Sequence, residues 1–348
     1  MRDGSVGIVC AGSYLPESYM TAADIARESG LPEPVVREKL GITGKHVAGP
    51  DDHPNEMAYR AALDCLAKTD IAAEEIDVVL CTTEEWREYL LWTCGIDLAY
   101  RLGATRAWAM DMHMRCCTTI AAIRTATDMM RANEDIKTVL IAGGYAISHF
   151  IDLRNPRTSF LFNIGAGAGA LLLRRDWPRN HVLGSHLITD GSMSRHVVVP
   201  ASGTLEHPTD RAVAAGRFKF DLLEPDAMKR RLNEVSMRNW LICIDEALRK
   251  SQTNGRPVAR QDVDFLNMIL VKPSAHREML QHLGLKETAS VYLGHIGHIG
   301  EQDTILSIIE GERCGRLNPG DLMMMVAAGI GYVWGAACVR WGTGTEDA

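Results

Sequence analysis

Long apolar runs, an excess of basic charge and paired-cysteine motifs are all missing from this 348-residue sequence. No apolar stretch reaches the roughly 18 residues that a membrane-spanning helix needs. The first residues, MRDGSVGIVCAGSYLP, place charge ahead of the apolar residues and then break at Gly and Pro, so no signal-peptide core is expected there. Lys and Arg number 37 against 44 Asp and Glu, a net charge of −7, which argues against a broad nucleic-acid-binding surface. A local basic patch for an acidic carrier protein remains open. The nine cysteines form no CxxC pair and no zinc-type spacing with histidine, so a structural metal is not expected. Cys10, Cys81, Cys243 and Cys338 sit inside apolar runs, which fits reduced thiols and a cytoplasmic location. What remains is ordinary globular composition, 46% hydrophobic and 23% charged. The length asks for one large domain or two fused ones.

The chain repeats itself. A helical stretch, Glu56–Lys68, leads to the buried strand Ile76–Thr83 and then to a helix ending near Gly103. In the second half a helix over Asn239–Lys250 leads to the strand Val263–Val271, and the next helix ends near Gly284. TVLIAGG (Thr138–Gly144) matches LMMMVAAG (Leu322–Gly329), and each half closes with a small-residue turn and a strand ending in Arg: Gly165–Arg175 and Gly329–Arg340. Strands alternating with helices predict parallel sheets covered on both faces. Two such units, residues 1–175 and 176–348, predict a duplicated five-layer α/β/α/β/α fold with the active site between the halves.

Corresponding strand-to-helix turns carry the chemistry. Ala107–His113 reads as a strand and Cys117–Arg131 as a helix, with Cys116 at the turn; Ser290–Gly294 and Thr304–Glu310 repeat the pattern around His298. A cysteine at a helix N-terminus has its thiolate stabilised by unpaired N–H groups and the helix dipole. The same N–H groups can bind the oxyanion of an attacked thioester. Cys116 is preferred over its neighbour Cys117, which is expected to be buried behind it; the bland alternative is a pair of core cysteines. In GHIGHIGEQD (Gly294–Asp303), His298 with Asp303 can form an oriented general base. Spacing alone does not choose between His295 and His298. A metal held by the two histidines would lack an evident third ligand.

Taken together, GSYLPE (Gly12–Glu17), REKLGITGKHVA (Arg37–Ala48), D-x4-C (Asp111–Cys116), GAGAGALLL, RLNPGD (Arg316–Asp321) and GIGYVWGAACVRW (Gly329–Trp341) make the chain resemble the β-ketoacyl-acyl-carrier-protein synthase III branch of the thiolase superfamily. The resemblance implies the five-layer fold, usually as a homodimer, with Cys116 as nucleophile. It also implies an oxyanion hole from the backbone N–H groups of Cys116 and of the glycine-rich loop around Ile330.

Departures from the family pattern shape the expected activity. The family's decarboxylating His motif reads LVKPSAHRE here, with Pro273 in its place, and His276 is a full helical turn away. The family's Asn is His298. Cys-His-Asp is similar to a subgroup from natural-product pathways, such as those of cervimycin, chlorothricin and pactamycin, that acylates sugars, cyclitols or carrier proteins. That likeness implies acyl transfer through acyl-Cys116 to a hydroxyl or amine of a small-molecule acceptor, without carbon–carbon bond formation and without a bound cofactor.

Val35 stands where the family often has an adenine-stacking tryptophan, so a carrier-protein thioester is as good a donor candidate as acyl-coenzyme A. Arg37 and Lys39 are candidate contacts for either. Trp86, Tyr89 and Trp92 fall in a segment that lines the acyl pocket and dimer contact in the family, and Glu301 lies beside the base. The rings could equally be one packed helical face, and Glu301 an exposed loop residue. Two other readings stay open: a priming ketosynthase that condenses with a malonyl carrier protein, as a daunorubicin starter-unit relative suggests, and a non-catalytic partner subunit.

Overall fold

A computed structural model describes residues 4–251 and 256–343. Five strands of the first half are β1 (Val6–Tyr14), β2 (Val78–Cys81), β3 (Trp108–Asp111), β4 (Thr138–Tyr145) and β5 (Gly167–Arg175). The second half supplies β6 (Arg179–Thr189), β7 (Phe265–Met268), β8 (Leu322–Gly329) and β9 (Val333–Thr343). Helices α1 (Pro54–Leu66), α2 (Cys94–Leu102) and α3 (Thr118–Ala132) belong to the first half. Their counterparts are α4 (Pro225–Lys250), α5 (Pro273–Leu283) and α6 (Asp303–Arg313).

The duplication read from the sequence is present in the hydrogen bonding. The first half pairs in the order β1-β5-β4-β2-β3. The second pairs as β6-β9-β8-β7, with Ser290 bridging in parallel to Leu266 of β7 where a counterpart of β3 would lie. In each half the second and third positions of this order form an antiparallel pair, and the third, fourth and fifth run parallel, Ser290 standing for the fifth in the second half. β1 meets β6 through Gly7 and His181, so the two sheets join into one nine-stranded ladder. Helix α1 packs on β1, β4 and β5, and α4 on β6, β8 and β9. Helices α3 and α6 touch strands of both halves and form the middle layer. The result is the five-layer arrangement.

Several elements differ in extent from their sequence-based expectation. β2 and β7 are only four residues each within the apolar runs around them; just before each, the Asp77 and Asp264 side chains accept from backbone N–H groups at the starts of β4 and β8. The predicted strand Ser290–Gly294 is reduced to the single Ser290 bridge. Helix α4 begins at Pro225, well before Asn239; its first turns are largely solvent-facing, so apolar periodicity does not reveal them. Gly103 and Gly284 end α2 and α5 in the left-handed conformation, as the repeat requires.

The core follows from this layering. One large apolar cluster runs through the middle layer and both sheets, from Ile8, Ile120 and Ile141 to Ile305, Met324 and Ala336. A smaller one, including Met57, Leu98, Leu140 and Leu172, fills the space under α1 and α2. The strand ends between α3 and α6 are therefore held on all sides by packed apolar residues, which gives a rigid frame for side chains placed there.

Candidate active site

The C-terminal ends of the parallel strands converge on the junction of α3 and α6, where open α/β sheets place ligands. After β3 the chain makes a short turn, Arg115–Cys117, before α3. Arg115 has φ of +55°, a conformation strained for a residue with a Cβ. The turn is clamped from two directions. Thr118 Oγ1 accepts from the Met114 N–H at 2.7 Å and donates to the Arg115 carbonyl at 2.6 Å. The Arg115 guanidinium reaches Glu84 at 2.8 Å and also pairs with Glu85. This presents Cys116 at the head of α3, while the neighbouring Cys117 is fully buried against Gly335. Burial pushes the Cys117 thiol up, away from the reactive form.

Across the site the C-terminal turn delivers its histidine. His298 exchanges backbone hydrogen bonds with the first half: its N–H donates to Asn163 and its carbonyl accepts from Gly165, both at 2.8 Å. Its Nε2 lies 3.3 Å from Cys116 Sγ, and its Nδ1 lies 2.6 Å from Asp303 Oδ2. Asp303, wholly buried at the start of α6, also accepts from the Leu270 N–H and the Ile299 N–H at 2.7 Å each. Burial pulls the His298 imidazole down, but the Asp303 carboxylate and the Cys116 thiol outweigh it and hold the ring well above the usual histidine range.

The structure thus brings Cys116, His298 and Asp303 into one hydrogen-bonded line and leaves His295 outside it. The His295 side chain is 53% exposed and sits 3.8 Å from Glu310. His276 is also elsewhere, bonded to Ser290 Oγ and lying edge-on to Tyr292; burial brings it down to about 4. Pro273 occupies the first turn of α5 and carries no proton-transfer group. Ile330 follows β8 directly. Gly329 lies so close to the Cys116 turn that a Cβ there would stand 3.0 Å from the Cys116 nitrogen and 2.7 Å from Arg115 Cβ. Only glycine permits that approach, which carries Ile330 to the edge of the site.

The aromatic segment is not a helical face: residues 84–93 are irregular. Their spacing of three arises without a helix because the strand β2 ends at Cys81 and the next helix starts only at Cys94. Trp86 stacks on His149 at 5.2 Å and meets Phe150 edge-on, whereas Tyr89 is exposed and touches Trp92. Trp86 therefore lines a cavity, and the other two rings do not share its environment. Glu301 is not an exposed loop residue but is completely buried. Arg37 pairs with Glu33, and Lys39 is solvent-exposed.

Two buried groups beside the site, Glu84 and Tyr145, were not singled out by sequence reasoning, and they lie near the buried Glu301, which was. Glu84 follows β2 and is 2% exposed; burial raises its carboxyl to about 7 despite Arg115. Glu301 is also raised, by burial and then by Glu84. Tyr145 closes β4 with its ring 6.3 Å from that of His298. Glu84 and Tyr145 could have been found from their place at the C-terminal ends of parallel strands.

Comparison with known proteins agrees with this architecture. The family model "3-Oxoacyl-[acyl-carrier-protein (ACP)] synthase III" matches residues 110–191, and its C-terminal counterpart matches residues 255–341. The β-ketoacyl-[acyl-carrier-protein] synthase III of Desulfitobacterium hafniense is 28% identical over 341 residues, covering 97% of this chain and 98% of that protein. The synthase III structure from Thermus thermophilus superposes with a TM-score of 0.81 at 23% identity, covering 97% of this chain and all of that one. A priming β-ketosynthase from a polyketide biosynthetic pathway superposes with a TM-score of 0.82 at 19% identity, covering 99% of both chains. The chain is therefore similar to β-ketoacyl-[acyl-carrier-protein] synthase III proteins over nearly its full length, and it shares the duplicated five-layer fold of the solved synthase III structures.

Proposed function

We propose that this protein is a thioester-dependent acyltransferase that moves an acyl group through Cys116 to a hydroxyl or amine acceptor, without decarboxylative condensation. The observation that carries the reading is the line Cys116 Sγ–His298 Nε2–Nδ1–Asp303, at 3.3 and 2.6 Å. In the first half-reaction His298 holds the Cys116 proton while the sulfur attacks the thioester carbonyl. The Cys116 and Ile330 N–H groups receive the oxyanion. Collapse expels the donor thiolate, which takes the proton from His298. In the second, His298 takes the acceptor proton as its oxygen or nitrogen attacks the acyl-Cys116 carbonyl; the sulfur leaves and recovers the proton. Asp303 keeps the ring oriented and supports its positive form at both stages.

A condensing enzyme needs groups that stabilise the enolate left by carbon dioxide loss. Here Pro273 and the remote His276 leave only His298 beside the thiol. The donor is an acyl-coenzyme A or an acyl carrier protein, and the acceptor is a small molecule of a specialised pathway such as antibiotic biosynthesis. Trp86 and Glu301 are the residues assigned to substrate contact. A homodimer fits the open edge of β3, where Trp108, Ile96 and Tyr100 are exposed.

Intact-protein mass spectrometry with a panel of acyl thioesters tests the reading. An acyl mass gain is expected in the wild type and not in Cys116→Ala. Release of carbon dioxide from a malonyl donor with formation of a β-keto product would replace this reading by priming condensation. No adduct with any coenzyme A or carrier-protein donor would support a non-catalytic subunit.

A further inference from the structure

A cavity of about 680 Å³, within the size range of small-molecule sites, is lined by segments adjoining the catalytic line, though not by Cys116, His298 or Asp303 themselves. Its walls include Lys45, Trp86, Ala146 and His149. Three of these are neighbours of the site along the chain or in space. Ala146 follows Tyr145, and Trp86 lies two residues beyond Glu84. The Lys45 stem packs on the backbone at Gly297, where a Cβ would come within 2.6 Å of Lys45 Cβ, next to His298.

Lys45 is the unusual member of this wall. It is only 3% exposed, yet its ammonium makes no hydrogen bond or ion pair among the described residues. Burial brings it down to about 8, with Glu28 acting weakly in the other direction. Glu28, also on the wall, acts on Lys45 through space without forming an ion pair with it among the described residues, whereas most of the other charges of the cavity are engaged. Asp152 pairs with Arg154 at 3.1 Å, and Asp52 accepts from Tyr14 and the Gly49 N–H. Lys219 donates to the His149 carbonyl. The Lys45 stem is buried while its Nζ stays accessible from the cavity, so three donors face that space with no protein acceptor among the described residues.

We propose that this cavity is a binding pocket for an anionic group, a carboxylate or phosphate carried by the donor thioester, with Lys45 as its counter-ion and the stacked Trp86–His149 pair as its flat wall. The proposal rests on the acyltransfer reading for the identity of the ligand, though not for the existence of the pocket. Two parts of a donor offer this chemistry: a carboxylate at the far end of the acyl group, and the phosphate of the pantetheine arm.

The test measures the rate of Cys116 acylation by intact mass in wild type, Lys45→Met and Lys45→Arg. The donors are glutaryl-coenzyme A, pentanoyl-coenzyme A and pentanoyl-pantetheine. If the acyl carboxylate is the ligand, wild type prefers glutaryl over pentanoyl by roughly tenfold or more, as expected of one buried charge-assisted contact. Lys45→Met brings that ratio near one, and Lys45→Arg keeps part of it. If phosphate is the ligand, the ratio that collapses in Lys45→Met is instead pentanoyl-coenzyme A over pentanoyl-pantetheine. Ratios that are the same in wild type and Lys45→Met overturn the pocket while leaving acyl transfer in place. Should no donor acylate wild type, acyl transfer itself fails. Calorimetric titration with glutarate and with inorganic phosphate then decides the pocket: binding that weakens about tenfold in Lys45→Met supports it, and no binding by wild type overturns it.

Discussion

The two strand-to-helix turns at the centre of the molecule occupy the same place in their half-units but use their backbone differently. In the first half the turn before α3 carries the nucleophile, and the Cys116 N–H is not consumed by the turn's own hydrogen bonds. An external anion can be received there. In the second half the turn before α6 is filled by an anion of its own: Asp303 folds back onto the Ile299 N–H and also takes the Leu270 N–H. That carboxylate then points its remaining strength at His298. One helix N-terminus is left for substrate, while the other is satisfied internally and works through a histidine. Duplication supplied two equivalent anion sites, and one acidic residue turned the second into the support of a base.

The largest effect on this contrast should come from emptying the second turn of its charge. Asp303→Asn keeps the size of the side chain but presents His298 with a neutral partner, so transfer should slow by roughly 10² to 10⁴-fold. The His298 signal in an NMR titration should move to lower pH, because its carboxylate support is lost. The linkage has a definite sign. The raised histidine pKa contributes stability that is fully present below its unfolded value of about 6.5 and lost as pH rises through the higher folded value. The stability gap between wild type and variant should therefore be widest in mildly acidic buffer. A His298 titration that is the same in both proteins would remove Asp303 from its assigned role.

Next in size is Gly300→Ala. Gly300 has φ of +57°, and an added Cβ would lie 2.3 Å from the Tyr145 ring. About 1–3 kcal/mol of stability should be lost, read as a lower Tm in calorimetry. An unchanged Tm would show that the second turn does not depend on this close packing.

Glu84→Gln tests the clamp on the first turn. A carboxyl held at about 7 when folded binds its proton more tightly than the unfolded chain does, so wild type loses stability as pH rises from about 4.5 to 7. The shift corresponds to about 3 kcal/mol. Denaturant titrations at pH 4.5 and pH 8 should show a smaller drop in the variant, with Glu85 still holding Arg115. An equal drop in both proteins would mean that another group titrates. The smallest effect is expected for His295→Ala. This exposed ring should change acylation and transfer by less than about twofold, and a loss comparable to that of a His298 substitution would reverse the assignment of the base.

Much of this molecule was legible before its structure. The alternation of apolar runs, the Gly103 and Gly284 helix ends and the repeated small-residue turns all depend on short-range rules, so the duplicated fold followed from them. The positions of Cys116 and His298 in corresponding turns were likewise readable. The choice between His295 and His298 was not, because both lie on a glycine-rich segment with the same local chemistry. Nor could the aromatic spacing of Trp86, Tyr89 and Trp92 be assigned, since a spacing of three in an irregular segment looks like a helix face in one dimension.

The sequence by itself determined the local order of strands, turns and helices, and with it the pairing of two half-units, because backbone geometry and apolar periodicity act over a few residues. Tertiary structure alone decided which polar groups meet. It placed His298 between Cys116 and Asp303, buried Glu84 and Glu301 beside them, and left the Lys45 ammonium at the cavity wall without a hydrogen-bond partner among the described residues. The physical reason is that hydrogen bonds and charge interactions depend on distances of a few ångströms and on exclusion of water. Between residues far apart in the chain, only the packing of the layers sets these.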